Sequence, residues 1–150
     1  MKILLSPGLL DQIRRHAEST YPEECCGFLV AEESDPASGI RQILRAAPME
    51  NRMEGERRRR FVIPPEELQR FERGLEGTGR AVVGFYHSHP DHPEVPSLYD
   101  QDHAWPWYTY LVLAVDHGRA GKLGAFELDP DSRRFAAIPW GLEPSDSRAQ

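Results

Sequence analysis

Residues 87–100 read HSHPDHPEVPSLYD. His87 and His89 stand two apart at the end of an apolar run, Ala81-Val82-Val83-Gly84-Phe85-Tyr86. On a strand, side chains two apart share a face, about 7 Å apart at the backbone. Two imidazoles so placed can converge on one zinc ion at ~2.0–2.1 Å. His-x-His alone is a weak signal, because strands often end in polar residues for solubility. The next residues strengthen it. Pro90, Pro93 and Pro96 forbid regular structure and turn the chain out and back. Ser97 then stands where a helix begins, and Asp100, three residues on, shares its helix face. If that face looks at the histidines, then His87, His89 and Asp100 form a three-ligand set. Three ligands leave a fourth position for water, the mark of a catalytic zinc site. Ser-x-x-Asp is also a capping-box start, and taken alone capping is the stronger reading.

A zinc-activated water needs a base, and a carboxylate takes its proton. Spacing leaves Glu23, Glu24, Glu94 and Asp102 all open for that role. Asp91 and His92 read as spacers in the proline-rich turn. His103 lies three past Asp100 and reads as a helix-surface residue, with a supporting place beside the site as the lesser alternative. Trp105, Trp107 and Tyr108 read as core at a helix-to-strand junction, with a cleft lining as the alternative. Cys25 and Cys26 are adjacent and poorly placed to bridge each other; they read as small apolar residues at a strand start.

The elements that must position these groups follow from periodicity. Lys2–Leu5 predicts a strand. Ser6-Pro7 predicts an N-cap and first helical residue, and Leu9, Leu10, Ile13 and Ala17 carry the helix to about Thr20, where Pro22 closes it. Cys26–Glu32 predicts a strand, 34–39 a turn, and Ile40–Ala47 the partner strand of a hairpin. Residues 48–60 have almost no apolar content and predict a mobile loop. Phe61–Ile63 predicts a brief strand. Pro64-Pro65 then opens a second helix, with Leu68, Phe71 and Leu75 on one face and Gly77 and Gly79 beyond its end. Arg80–His89 is apolar on both faces except at its end, so it predicts a central strand. A short helix follows over Ser97–Ala104. Strands follow over Tyr108–Val115, Lys122–Leu128 and Arg134–Ile138, and a frayed polar tail runs over 141–150. The sum is a single domain over 1–140: a mixed β-sheet flanked by helices, α+β or three-layer α/β.

The chain has 150 residues and a formal net charge of -6, which argues against nucleic acid as a partner. The run Arg57–Arg60 is the local exception and reads first as a solvated loop, second as a contact for an acidic partner. The N-terminal apolar stretch is too short and interrupted for a signal peptide or a spanning helix, so a cytoplasmic protein without membrane attachment is expected.

His87-Ser88-His89-Pro90, Ser97 and Asp100 together resemble the JAMM (MPN-plus) zinc metalloprotease motif: His-x-His, seven residues, Ser, two residues, Asp. Pro22-Glu23-Glu24-Cys25-Cys26-Gly27 resembles the family's upstream Pro-x-Glu-x-Cys-Gly, and that alignment selects Glu24 over Glu23. Asn51 with Phe61-x-Ile63-Pro64 resembles the segment before the family's second helix. The likeness spans about residues 1–140. It implies a cytidine-deaminase-like three-layer fold and one zinc per chain held by His87, His89 and Asp100. It further implies Glu24 as general base and then acid, Ser97 as hydrogen-bond donor to water or oxyanion, and hydrolysis of a peptide or isopeptide bond. Ala31 stands where many members have glycine. The long insertions with which eukaryotic deubiquitinases grip ubiquitin chains are absent. The chain looks like the small prokaryotic members. Those are associated with cleavage after the Gly-Gly end of ubiquitin-like sulfur-carrier proteins, including release of cysteine from a carrier adduct.

Three other classes compete. A non-catalytic binding module for such a carrier would not need all of Glu24, His87, His89, Ser97 and Asp100. A nucleic-acid repair protein with a similar His-x-His and Asp arrangement conflicts with the acidic balance. A peptidoglycan or phage-tail peptide hydrolase would be expected to carry a signal sequence or a partner domain.

Overall fold

A computed structural model describes residues 1–33 and 39–144. Strand β1 (Lys2–Leu5) leads to helix α1 (Pro7–Thr20), which starts where Ser6 Oγ accepts a hydrogen bond from Leu9 N–H at 3.0 Å. Strands β2 (Cys26–Glu32), β3 (Ile40–Gln42) and β4 (Arg45–Met49) precede helix α2 (Pro65–Leu75). Then come β5 (Arg80–Pro90), the short helix α3 (Leu98–Asp102), β6 (Thr109–Asp116), β7 (Arg119–Leu128), β8 (Phe135–Ile138) and β9 (Trp140–Leu142).

Six strands form one mixed sheet in the order β4-β2-β5-β6-β7-β8. Only β5 and β6 pair in parallel there. A second, all-parallel sheet has the order β3-β1-β9. Helix α1 buries Leu9, Leu10, Ile13 and Ala17 in a core with Leu29, Tyr86, Leu111 and Leu113 on one face of the large sheet. The opposite face carries Phe28, Val82 and Phe85, packed by Leu68, Phe71 and Leu75 of α2. A helix, a sheet and a helix make the three layers, and β5 is interior as its apolar run requires.

Four expectations change. The expected strand Ile40–Ala47 is divided between the two sheets. The chain crosses at buried Ile43, whose N–H donates to the Leu4 carbonyl while the next N–H, of Leu44, donates to Val30. Phe61–Ile63 is not a strand, because the Val62 N–H is taken by Asn51 Oδ1. Residues 50–60 are a pinned loop, tied through Asn51 and Arg57 to the start of β2. The tail does not fray at Gly141. Gly141 and Leu142 belong to β9 beside β1, and Glu143 N–H donates to the Leu5 carbonyl at 2.8 Å. Of the turn expected over 34–39, residues 34–38 lie outside the described residues, as do 145–150. No described helix is long and apolar enough to cross a membrane.

Candidate active site

The antiparallel register of β2 and β5 places Cys26 opposite His87. Glu24, two residues earlier in sequence, therefore arrives beside the end of β5. The backbone there is fully partnered. Glu24 N–H donates to the Arg57 carbonyl at 2.7 Å, and the Glu24 carbonyl accepts from Asn51 Nδ2 at 3.2 Å. Cys25 N–H donates to Ser88 Oγ at 2.8 Å, and Ser88 N–H donates to the Cys25 carbonyl at 3.2 Å. Gly27 completes the approach, since a Cβ there would overlap the Tyr86 ring and the Ala47 carbonyl. Buried backbone polar groups need partners, and these four bonds fix where the Glu24 side chain starts.

His87 and His89 project from the α2 face of β5. Their Nε2 atoms lie 3.2 Å apart, and each is 3.1 Å from Asp100 Oδ2. Donor atoms of a tetrahedral zinc at ~2.0–2.1 Å are about 3.3–3.4 Å apart. The observed triangle is close to that size. All three side chains are buried. His89 Nδ1–H donates to the Pro93 carbonyl at 2.8 Å, which turns Nε2 toward the triangle as the atom that would serve as ligand. The His87 ring is held by stacking on Phe61, with centroids 4.6 Å apart. Burial lowers the His87 pKa against the opposing pull of Asp100 and keeps the ring neutral. Burial works to raise Asp100, but the His87 and His89 rings and the Ser97 N–H hold its carboxyl well below the ordinary carboxylate range. Two imidazole nitrogens and a carboxylate oxygen converging on one point suit a cation. Glu24 Oε1, His87 Nδ1 and Asp100 Oδ1 are buried without a hydrogen-bond partner.

Of the four carboxylates open on spacing alone, Glu23 and Asp102 are exposed and Glu94 is half-buried. Glu24 is 2% exposed. Burial, aided by the charge of Asp100, pushes its carboxyl up to about 9. Ser97 is the N-cap of α3. Its Oγ accepts from Asp100 N–H at 3.1 Å, and Asp100 Oδ2 accepts from Ser97 N–H at 2.9 Å. The capping box therefore also aims Asp100, and the Ser97 hydroxyl keeps its own proton to donate.

A cleft of about 460 Å³ opens from His87 and Asp100, walled by Phe61, Ile63, Leu68, Phe85, Trp105 and Trp107. Trp105 and Trp107 are thus not core: Trp107 is 79% exposed, and its φ of 77° turns the chain outward. Tyr108 does pack on Phe85, with centroids 5.0 Å apart, and also lines the cleft. His103 stacks on Tyr99 at 4.0 Å, away from the histidine pair, on the cleft wall. His92 is exposed. Asp91 is more than a spacer, because its carboxylate accepts from Tyr21 OH at 2.7 Å and His117 N–H at 2.8 Å. Cys25 and Cys26 are buried free thiols, and burial pushes Cys25 up to about 12. Ser88 and Asn51 are the positioning residues that spacing did not single out. Ser88 carried a signal, as a polar residue inside an apolar strand.

A family profile described as prokaryotic homologs of the JAB domain matches residues 6–128. The chain is 35% identical over 132 residues to a desampylase of Haloferax volcanii, covering 87% of this chain and 88% of that protein. It is 28% identical over 113 residues to a probable TtuB-protein conjugate cleaving protease of Thermus thermophilus, covering 75% and 70%. The solution structure of a Desulfitobacterium hafniense protein superposes with a TM-score of 0.78 at 23% identity, over 94% of this chain and 92% of that one. With the fold, the profile and the relatives in agreement, this chain belongs to the family of prokaryotic JAB-domain homologs.

Proposed function

We propose that this protein is a zinc-dependent metallopeptidase that hydrolyses the peptide or isopeptide bond after the C-terminal Gly-Gly of a ubiquitin-like or sulfur-carrier protein. The observation that carries the reading is the 3.1–3.2 Å triangle of His87, His89 and Asp100 with a buried, proton-holding Glu24 alongside. The two relatives named for desampylation and conjugate cleavage support the substrate class.

His87 Nε2, His89 Nε2 and Asp100 Oδ2 would hold the zinc. The ion supplies a Lewis acid that acidifies water and polarises a carbonyl. Glu24, ionised once a cation is held beside it, would take one proton from the attacking water as the new C–O bond forms and then give it to the amine nitrogen as the C–N bond breaks. Ser97 Oγ–H donates to the developing oxyanion. The apolar cleft walls exclude bulk water and strengthen both interactions. A glycine tail suits this site because its donor atoms are buried and residues without side chains can approach them closely. Val62 uses its N–H and C=O on Asn51 and Arg52. The main-chain groups of neighbouring Phe61 and Ile63 have no partner among the described residues, which leaves an edge to which a tail can add by main-chain hydrogen bonds.

The test compares wild type with Glu24→Gln and with the double variant His87→Ala, His89→Ala. Zinc is measured by elemental analysis. Hydrolysis is followed on a sulfur-carrier protein extended beyond its Gly-Gly end. Wild type and Glu24→Gln are expected to hold zinc, and only wild type to cleave. Full activity in Glu24→Gln removes the assigned base, and zinc retained by the histidine variant removes the ligand set.

A further inference from the structure

Arg57, Arg58, Arg59 and Arg60 are consecutive and exposed in a chain of net charge -6. Among the described residues, none of their guanidinium groups is paired with a carboxylate. Unpaired cations on a solvated loop are common and by themselves indicate nothing. Their position is what distinguishes these. The Arg57 carbonyl accepts from Glu24 N–H, and Asn51 Nδ2 bridges the carbonyls of Glu24 and Arg60. The next residue, Phe61, stacks on His87. The Arg60 guanidinium lies over the Tyr99 ring, 4.4 Å from its centroid, one residue before Asp100. The loop therefore touches both the candidate base and the candidate ligand elements and leads directly into Phe61, where the cleft wall begins.

We infer that the arginine loop docks an acidic face of the protein whose tail enters the cleft. This rests on the proposed function in one respect, namely that the substrate is a protein and not a short peptide. A pinned loop presents its charges in a fixed place, so the attraction orients the partner as well as capturing it. At physiological salt, charges act over about 8 Å, so a loop adjoining the cleft wall biases encounters there despite the acidic balance of the whole chain. A protein partner is favoured over nucleic acid because the loop is built onto the hydrolytic site, and what docks there is what that site cuts.

Arg58 and Arg59 are the residues to change, since no side-chain bond to the fold involves them and neither contributes to the site. The full-length zinc-loaded protein is compared with Arg58→Glu, Arg59→Glu and with Arg58→Lys, Arg59→Lys. One probe is an acidic ubiquitin-like protein ending in Gly-Gly and fused to a reporter. The other is a short neutral peptide with the same Gly-Gly end. The inference expects kcat/KM on the protein probe to fall at least tenfold in the glutamate variant at low salt, with a flatter salt dependence. The lysine variant should retain most activity, and all forms should cleave the short peptide equally. Unchanged turnover of the protein probe, or equal losses on both probes, overturns it. Affinity for the uncleaved acidic protein, measured by fluorescence anisotropy, separates docking from hydrolysis. If wild type cleaves neither probe, the proposed function fails, while a tenfold weaker affinity in the glutamate variant still upholds the docking surface. Weakened binding of a single-stranded oligonucleotide with no change toward the acidic protein would overturn it in favour of nucleic acid.

Discussion

Ser88 and Cys25 hold each other by two hydrogen bonds: Cys25 N–H donates to Ser88 Oγ at 2.8 Å, and Ser88 N–H donates to the Cys25 carbonyl at 3.2 Å. Ser88 faces away from its neighbours His87 and His89, yet it sets the chain one residue after Glu24. Ser88→Ala strands the buried Cys25 N–H, which costs about 1–3 kcal/mol. If Glu24 is the base, as proposed, its displacement by about 1 Å costs on the order of a hundredfold in rate. Ser88→Ala is therefore expected to lower kcat strongly while zinc content, read by elemental analysis, stays near one per chain. Loss of zinc in parallel with activity would show that Ser88 supports the histidines instead.

Glu24 gives the metal-free protein a distinctive pH dependence. Its carboxyl titrates near 4.5 in the unfolded chain and is pushed up to about 9 by burial in the folded one. Between those values the unfolded state releases a proton that the folded state keeps. This contribution to stability is complete below about pH 4.5 and is lost progressively as pH rises toward 9. At pH 7 the loss is on the order of 3 kcal/mol. Glu24→Gln removes it. Denaturant unfolding of chelator-treated protein is expected to find the variant more stable than wild type at pH 7 and nearly equal at pH 4.5. Parallel pH profiles for the two would refute the buried-carboxyl account.

The large sheet was legible in the sequence where burial wrote a long pattern. Arg80–His89 is apolar on both faces because β5 is interior, and Leu9, Leu10, Ile13 and Ala17 repeat as α1 packs. The small sheet was not legible. Strands of three residues such as β3 and β9 carry no period, and their partner β1 lies at the other end of the chain from β9. Strand alternation put His87 and His89 on one face and helix spacing put Ser97 and Asp100 on another, both local; that the two faces meet was implied by the family resemblance and not by spacing. Nor was the place of Glu24 legible in spacing, because its arrival depends on the long-range register of Cys26 with His87. Trp105 and Trp107 misled because aromatic type reports apolar area and not which side of the fold it covers.

The capping role of Ser97 and its proposed role as oxyanion donor can be separated by one substitution. Ser97→Ala would lose both the N-cap and the hydroxyl. Glycine at an N-cap costs only a few tenths of a kcal/mol. Ser97→Gly is therefore expected to unfold at nearly the wild-type denaturant concentration and to bind zinc, because the Ser97 N–H to Asp100 Oδ2 bond is retained. Its kcat should still fall about 10²–10³-fold, the usual loss for one oxyanion donor. Wild-type kcat in Ser97→Gly would leave capping as the residue's whole role.

Trp105 and Trp107 expose large apolar surfaces on the cleft wall opposite Phe61 and Ile63. Burying such a side chain against a partner is worth ~1.5–3 kcal/mol. Neither ring is needed for the core, so Trp105→Ala and Trp107→Ala should leave thermal unfolding within a degree or two of wild type. Among the described residues neither ring hydrogen-bonds or stacks with His87, Asp100 or Glu24, so chemistry on bound substrate should be unaffected. The expected signature is a tenfold or greater rise in KM for a protein substrate with kcat nearly constant, the pattern of lost uniform binding. A fall in kcat at constant KM would instead place these rings in transition-state stabilisation, and no change in either constant would leave the cleft wall outside the substrate's footprint.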